Sequence, residues 1–375
     1  MPDASNSVIR LTMRFDQTIL AVGTGVLYEH TGNTYIVTAW HNFTGRHTET
    51  FSCLSQNQAI PNNVIAEIPF VSGQLVARIG LSIPLFDHEK ASFLIHPKNW
   101  PRIDVVAIPF DQDEIHMLEA TLPDGSTLKF PFQRNREEPV MEVCPVQNFE
   151  YKHTAVDLWF KALDVAEELY IPGFPENISD VYGSPVWKRA TTASSPRQGW
   201  NKEPKFLVDC ASKGGMSGAP VFYHNNHGQI RVNGNSYSFS TPASILTGIY
   251  VGRIGGTTEF EAQIGVVWHR SVINEIIEGG TYEKHPDYIQ ASLSQIREAT
   301  QRTLSMYTQE NIEEMRCGKH IYVQYASKLI WAAVEGRTDM EVVRAELLEA
   351  LADFRGPFKA KQSQIDAPNK PHPHA

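Results

Sequence analysis

Apolar and polar side chains alternate along Val8-Ile9-Arg10-Leu11-Thr12-Met13-Arg14-Phe15, the two-residue period of a half-buried strand. Gly25-Val26-Leu27-Tyr28 and Tyr35-Ile36-Val37-Thr38 flank the turn-forming His30-Thr31-Gly32-Asn33 and predict a hairpin. Short runs of the same kind recur at Leu75–Ile79, Asp104–Ile108, Leu169–Ile171, Lys205–Val208, Ile245–Val251 and Ala262–Val267. Residues 7 to about 275 therefore read as many short strands punctuated by Gly, Pro and Asn, the pattern of barrels or a sandwich.

The polar, proline-flanked stretch from Pro131 to Pro139 is a candidate link between two β units, one over about 7–130 and one over about 140–278. Near Gly279-Gly280 the period changes. Tyr288, Leu293, Ile296 and Leu304, then Ile321, Tyr325, Leu329 and Ala332, recur at helical spacing. Thr338-Asp339-Met340-Glu341 has the form of a capping box opening a helix over Val342–Phe354. A helical module is expected over 279–360. A Pro/His-rich tail over 361–375 is expected to be disordered.

Composition narrows the class. The chain has 375 residues, 42% hydrophobic and 20% charged, as in ordinary globular proteins. No apolar run reaches the ~18 residues that span a bilayer, so no membrane association is expected. The formal net charge is −9, and from residue 281 onward 12 Lys/Arg face 13 Asp/Glu. No basic block tracks a phosphate backbone, and nucleic acid is not expected as a partner. Cys53, Cys144, Cys210 and Cys317 are far apart and form no CxxC pair, which disfavours a zinc site or a dense disulfide framework. The first residues lack the pattern of a signal peptide. Together these features predict a cytoplasmic, reducing location and no cofactor.

Three residues carry candidate chemistry. Ser217 lies in Lys213-Gly214-Gly215-Met216-Ser217-Gly218-Ala219-Pro220-Val221, where glycines permit a tight turn and close substrate approach. The N–H groups of Gly215 and Ser217 are positioned to converge on one oxygen. His41 ends the apolar run Tyr35–His41, and Asp104 opens another. Each alone has a bland reading: a glycine-rich turn, a hydrogen-bonded core histidine, an ion-pair carboxylate. His224 and His227 read as loop residues, and His372 and His374 as tail residues. Trp331 and Tyr325 read as helix packing.

The combination is more specific than its parts. Gly23-Thr24-Gly25-Val26, Thr38-Ala39-Trp40-His41, Asp104-Val105-Val106-Ala107-Ile108 and Gly214–Val221, in that order, resemble the trypsin-like serine peptidases of the disulfide-poor bacterial and viral type. Ile171-Pro172-Gly173-Phe174-Pro175 and Leu246–Gly252 resemble further elements of that family. The resemblance covers about residues 7–278. It implies a mainly β fold of two six-stranded β-barrels followed by the α-helical C-terminal extension. It implies a triad of His41, Asp104 and Ser217, with the Gly215 and Ser217 N–H groups as oxyanion hole. It places Ala211 at the floor of the primary pocket, with Tyr250, Val251, Gly252 and Gly265 along the cleft. No carboxylate is supplied there, so an apolar or small side chain is expected before the cleaved bond. Three departures stand out. Trp40 is bulkier than the usual residue, Met216 replaces the aspartate of zymogen-activated members, and Asn42, not cysteine, follows the histidine. The order His…Asp…Ser also differs from that of α/β-hydrolases and subtilisins.

The function expected is endoproteolysis of protein or peptide substrates through an acyl-enzyme, with the C-terminal helices as a regulatory or assembly module for a protein partner or as a stabilising cap. The competing readings are a catalytically silent trypsin-like domain used for protein binding, and an esterase using the same triad.

Overall fold

Thr31 and Gly32, both with positive φ (49° and 81°), close the hairpin expected around His30–Asn33, whose strands pair Val26 with Val37 and Tyr28 with Tyr35. Positive φ at both central residues matches the turn to the right-handed strand twist. In the computed structural model the residues described are 4–48, 53–55, 59–87, 90–97, 103–121, 127–133, 142–150, 163–225, 227–232, 235–238, 243–253, 263–284, 291, 293–334, 338 and 340–358. The expected tail over 361–375, most of the expected link over 131–139, and Tyr288 and Asp339 of the helical pattern lie outside them.

The fold is mainly β. Its N-terminal half contributes β1 (Val8–Phe15), β2 (Thr18–His30), β3 (Asn33–Thr38), β4 (Asn63–Ser72), β5 (Leu75–Pro84), β6 (Phe86–Asp87), β7 (Lys90–Ile95), β8 (Val106–Pro109), β9 (His116–Thr121), β10 (Thr127–Phe132) and β11 (Glu142–Val143). The second half contributes β12 (Glu168–Gly173), β13 (Val186–Thr192), β14 (Lys205–Asp209), β15 (Ala219–Asn225), β16 (Gln229–Val232), β17 (Asn235–Ser238), β18 (Ala243–Arg253), β19 (Ile264–His269) and β20 (Thr281–Lys284). Strands β12, β13, β14, β19, β18 and β15 close a six-stranded barrel. The N-terminal strands form one twelve-stranded sheet in the order β10-β9-β5-β4-β1-β2-β3-β8-β7-β20, with β11 on β4 and β6 on β7. The expected six strands are exceeded there because β9–β10 extend one edge and β20 returns to the other.

The two β layers share a core. Strand β18 alternates between two apolar clusters. Leu246, Ile249 and Val251 pack with Val26, Val37, Leu94, Val105 and Trp268, and with Val272 and Ile276 of helix α2 (Arg270–Gly279). Tyr250 turns the other way, into the barrel with Ile171, Phe206, Val208, Met216 and Val267. Full burial of each such aliphatic or aromatic side chain contributes about 1.5–3 kcal/mol. A partly buried ion pair stands at the start of α2: Arg270 Nη1 lies 2.5 Å from Glu150 Oε1, which also accepts from the Leu246 N–H at 2.8 Å.

The chain divides into two compact units, 1–289 and 290–375. Gly280, with φ 57°, caps α2 in the left-handed conformation, and the chain then adds β20 to the first sheet. The second unit is helical: α3 (Leu293–Leu304), α4 (Gln309–Arg316), α5 (His320–Ala333) and α6 (Met340–Asp353). Its core is Ile296, Ile312, Val323, Ala326, Ile330, Trp331, Val343, Leu347 and Leu351. The stripe expected to be buried on α5 is the exposed one. Ile321 is 68% and Tyr325 65% exposed, while the opposite face carries Ala326, Ile330 and Trp331 inward. Leu293, Val342 and Leu348 are likewise exposed. The sequence of α5 is apolar on both sides, so periodicity alone could not choose the buried face. All four cysteines are free. Among the described residues no helix is long and apolar enough to cross a membrane.

His269 ends β19 with its ring on Phe206, centroids 5.5 Å apart. Burial pushes its pKa down to about 4, below the ordinary 6.5. The unfolded chain thus binds this proton first as pH falls, and stability drains away between about pH 6.5 and 4. We expect the margin in unfolding midpoint of the wild type over His269→Gln to be widest at pH 7 and to shrink by pH 4.5. An equal margin at both pH values, read by thermal melts, would remove His269 from the acid response.

Candidate active site

Helix α1 (Trp40–Thr44) is a single turn of five residues, too short to hold itself together. Its surroundings supply what it lacks. Asp104 Oδ1 accepts from the His41 backbone N–H at 3.0 Å, one of the donors a helix N-terminus leaves unpaired. Gly45, in the left-handed conformation, returns its N–H to the His41 carbonyl at 2.9 Å.

The same carboxylate holds the imidazole. His41 Nδ1 lies 2.8 Å from Asp104 Oδ2 and 3.0 Å from Oδ1. Asp104 stands just before β8, between the buried Ile103 and Val105, and is itself 8% exposed. An Nδ1–H donated to the carboxylate leaves Nε2 as the basic nitrogen. Burial favours the neutral ring, but the charge and hydrogen bond of Asp104 together outweigh it, and the His41 pKa is raised above 6.5.

Ser217 sits on the loop between β14 and β15, and that loop is bound to the first sheet. The Ser217 carbonyl accepts from the Thr24 N–H and from Asn42 Nδ2, both at 2.9 Å. Asn42 gives a second bond, to Thr38 Oγ1 at 2.9 Å, and Thr38 Oγ1 donates to the Thr24 carbonyl at 2.6 Å. Thr24 Oγ1 donates to the Gly215 carbonyl at 2.7 Å and accepts from the Phe174 N–H at 3.2 Å. These contacts tie the Ser217 loop to β2 and to α1, the helix that carries His41 and its bonds to Asp104. Ser217 Oγ points to the Val251 carbonyl, 3.4 Å away, and makes no hydrogen bond to His41.

The glycines have measurable reasons. Gly218 has φ 88°, and an added Cβ would stand 2.0 Å from the Thr24 carbonyl oxygen. Gly215 has φ 92°, and its Cβ would stand 2.2 Å from the Phe174 carbonyl oxygen. The Gly214 carbonyl accepts from the Glu176 N–H at 2.6 Å. Across a trans peptide the Gly215 N–H then points away from Glu176. Among the described residues neither the Gly215 nor the Ser217 N–H has an acceptor.

The cleft residues divide. Val251 offers its carbonyl to Ser217, and a Cβ on Gly252 would meet nothing within 4 Å. Gly265 is covered instead of open: its Cβ would stand 2.4 Å from the Tyr250 ring. Tyr250 is buried in the barrel, its hydroxyl bonded to Ser212 Oγ and its pKa pushed up to about 12, chiefly by burial. Ala211 is exposed beside Ser212. His224 lies on β15 and not in a loop, with Nδ1 2.5 Å from Ser244 Oγ. Sequence reasoning quoted Thr24, Thr38 and Asn42 only as parts of motifs and missed their work. The signal available was Asn42 standing where a disulfide cysteine would have braced the same helix.

No protein-family model matches the chain, and no curated protein sequence matches it. Solved structures similar to it include the inactive form of the Rv3671c protease of M. tuberculosis, at 14% identity over 74% of this chain and 89% of that one, with a TM-score of 0.32. The serine endoprotease from Yersinia pestis is similar at 12% identity over 73% and 62% of the two chains, with a TM-score of 0.37. The protease Anisep from Arthrobacter nicotinovorans is similar at 14% identity over 70% and 90%, with a TM-score of 0.34. At these identities and TM-scores the likeness carries no argument, and what the site can do rests on its own geometry.

Thr24→Val keeps the shape of the side chain and removes the hydroxyl. It leaves the Gly215 carbonyl without its donor and the Phe174 N–H without its acceptor, at about 1–3 kcal/mol for each group left unsatisfied. Urea unfolding is expected to show a loss in that range or above. An unchanged midpoint would mean that the loop is held by other means.

Proposed function

We propose that the chain is a serine endopeptidase in which Ser217 is the nucleophile, His41 the general base and Asp104 the group that orients His41 and stabilises the imidazolium formed on it. The observation that carries this reading is the imidazole fixed by both Asp104 oxygens beside a Ser217 loop with two unused N–H groups. Ser217 Oγ exchanges the Val251 carbonyl for His41 Nε2, gives up its proton there and attacks the scissile carbonyl. The Gly215 and Ser217 N–H groups receive the oxyanion. The imidazolium returns the proton to the leaving amine, and water repeats the cycle on the acyl-enzyme. Four free cysteines support work in a reducing, cytoplasmic compartment. The absence of a carboxylate at Ala211 supports small or apolar side chains before the cleaved bond.

Ser217→Ala and His41→Ala are each expected to lower turnover by several orders of magnitude, and the double variant to be little worse, because the members act as a unit. The test is covalent labelling by a fluorophosphonate probe together with cleavage of a peptide library. Labelling lost in Ser217→Ala supports the enzyme, cleavage of esters but not peptides makes it an esterase, and no labelling of the wild type makes it a binding module. Because the raised His41 must be neutral to act, labelling is expected to climb with pH through a midpoint above 6.5. Asp104→Asn should drop that midpoint and cut the rate by about 10⁴, as in related triads. A midpoint unmoved by Asp104→Asn counts against His41 as the base.

We also infer that the helical unit restrains or recruits the protease unit through a protein partner, for which the exposed Ile321–Tyr325–Leu329 stripe is the support. A chain ending after Lys284 that cleaves its natural substrate as the full chain does, with and without cell extract, rules this control out.

A further inference from the structure

The residue before His41 is a tryptophan, and its surroundings make it more than a bulky neighbour. Trp40 is 2% exposed, and its indole Nε1–H donates to Glu283 Oε2 at 3.1 Å. Glu283 belongs to β20, the edge strand added after α2, and is 5% exposed. A carboxylate buried so deeply is costly unless hydrogen-bonded. A hydrophobic residue would fill the place at less cost, so the acid calls for a reason.

The backbone aims it there. The β20–β7 ladder pairs Thr281 with Ile95 and Tyr282 with Leu94, then slips before Lys284 meets Lys90. Between these last two pairs β20 advances two residues and β7 four, so the surplus residues lie on β7 opposite Glu283, and the two-residue period of β20 itself turns Glu283 to the face away from Tyr282 and Lys284. Tyr282 and Lys284 on either side are exposed, while Glu283 turns inward. The neighbouring strand of the same ladder carries Phe93, on which Phe43 of α1 packs at 5.5 Å. The one-turn helix bearing His41 therefore stands on the β7–β20 edge at two points, an aromatic contact and a charge-assisted hydrogen bond.

We propose that Glu283 is a positioning residue for the candidate active centre: through the Trp40 indole it fixes the rotation of α1 and with it the aim of His41 at Ser217. This rests on the peptidase reading of the site. It also extends that site beyond Gly279-Gly280, where the sequence pattern changes, because Glu283 lies four residues past Gly279. The chain leaves β20 at Lys284 and enters the helical unit at 290.

The test uses the full-length chain. Glu283→Ala, Glu283→Gln and Trp40→Phe are compared for fluorophosphonate labelling, separating the maximal rate from the half-saturating concentration. The His41 ring is titrated by NMR on the same proteins. Glu283→Ala and Trp40→Phe are each expected to lower the maximal rate about tenfold with little change in half-saturation, a loss of about 1.4 kcal/mol of transition-state stabilisation. Combined, they should lose no more than either alone. The His41 midpoint should fall with both, as its hold on Asp104 loosens, and Glu283→Gln, which keeps an acceptor oxygen, should recover most of both quantities. Wild-type rate and midpoint in Glu283→Ala, or additive losses in the double variant, overturn the proposal. Should Glu283→Ala fail to fold, Trp40→Phe with its indole N–H removed decides by the same criteria. If the wild type is not labelled at all, the peptidase reading fails while the NMR midpoint still decides the positioning role.

Discussion

One buried threonine ties the two β layers together where the chemistry is placed. Thr24 uses its N–H, its carbonyl and both capacities of its hydroxyl on four different partners: Ser217, Thr38, Gly215 and Phe174. Its strand belongs to the first sheet, and three of those partners belong to the second half of the chain. A side chain able to give and accept at once is needed there, and a hydroxyl of that length is the smallest that serves. Asn42 reinforces the same seam with one amide group, bonding Thr38 on its own side and the Ser217 carbonyl on the other. In a core of this kind unsatisfied polar groups are expensive, so a fully paired network fixes one relative placement of the layers.

That seam explains the glycine pattern. Gly218 passes so close to Thr24 and Thr38, and Gly215 so close to Phe174, that a methyl group at either would collide with backbone. The glycine-rich loop is shaped by what lies behind it as well as by what must approach its front. The front is left with two N–H groups unused among the described residues, near a histidine held by a buried carboxylate.

His41 is steadied from three directions. Asp104 holds its ring and its backbone N–H, Asn42 as the following residue bonds the Ser217 loop, and Glu283 holds the preceding residue from the sheet edge. A five-residue helix without such braces would fray. Here no disulfide follows the histidine, and hydrogen bonds from polar side chains supply the rigidity instead.

The sequence by itself settled the mainly β character, the Val26–Val37 hairpin and the helical C-terminal region, and it named the three groups on which the proposed chemistry rests. Those features are local: a two-residue period, a turn dipeptide, a short motif with its glycines. Tertiary structure alone decided that Thr24 and Asn42 reach the second half of the chain and that Glu283 reaches Trp40, because those partners lie 150 to 243 residues away and no spacing rule connects them. It decided that Gly265 is covered, since Tyr250 reaches it across a strand ladder. It also decided which face of α5 is buried. The helix His320–Ala333 is apolar on both sides, and only packing against the neighbouring helices turns Ile330 and Trp331 inward and leaves Ile321 and Tyr325 to solvent.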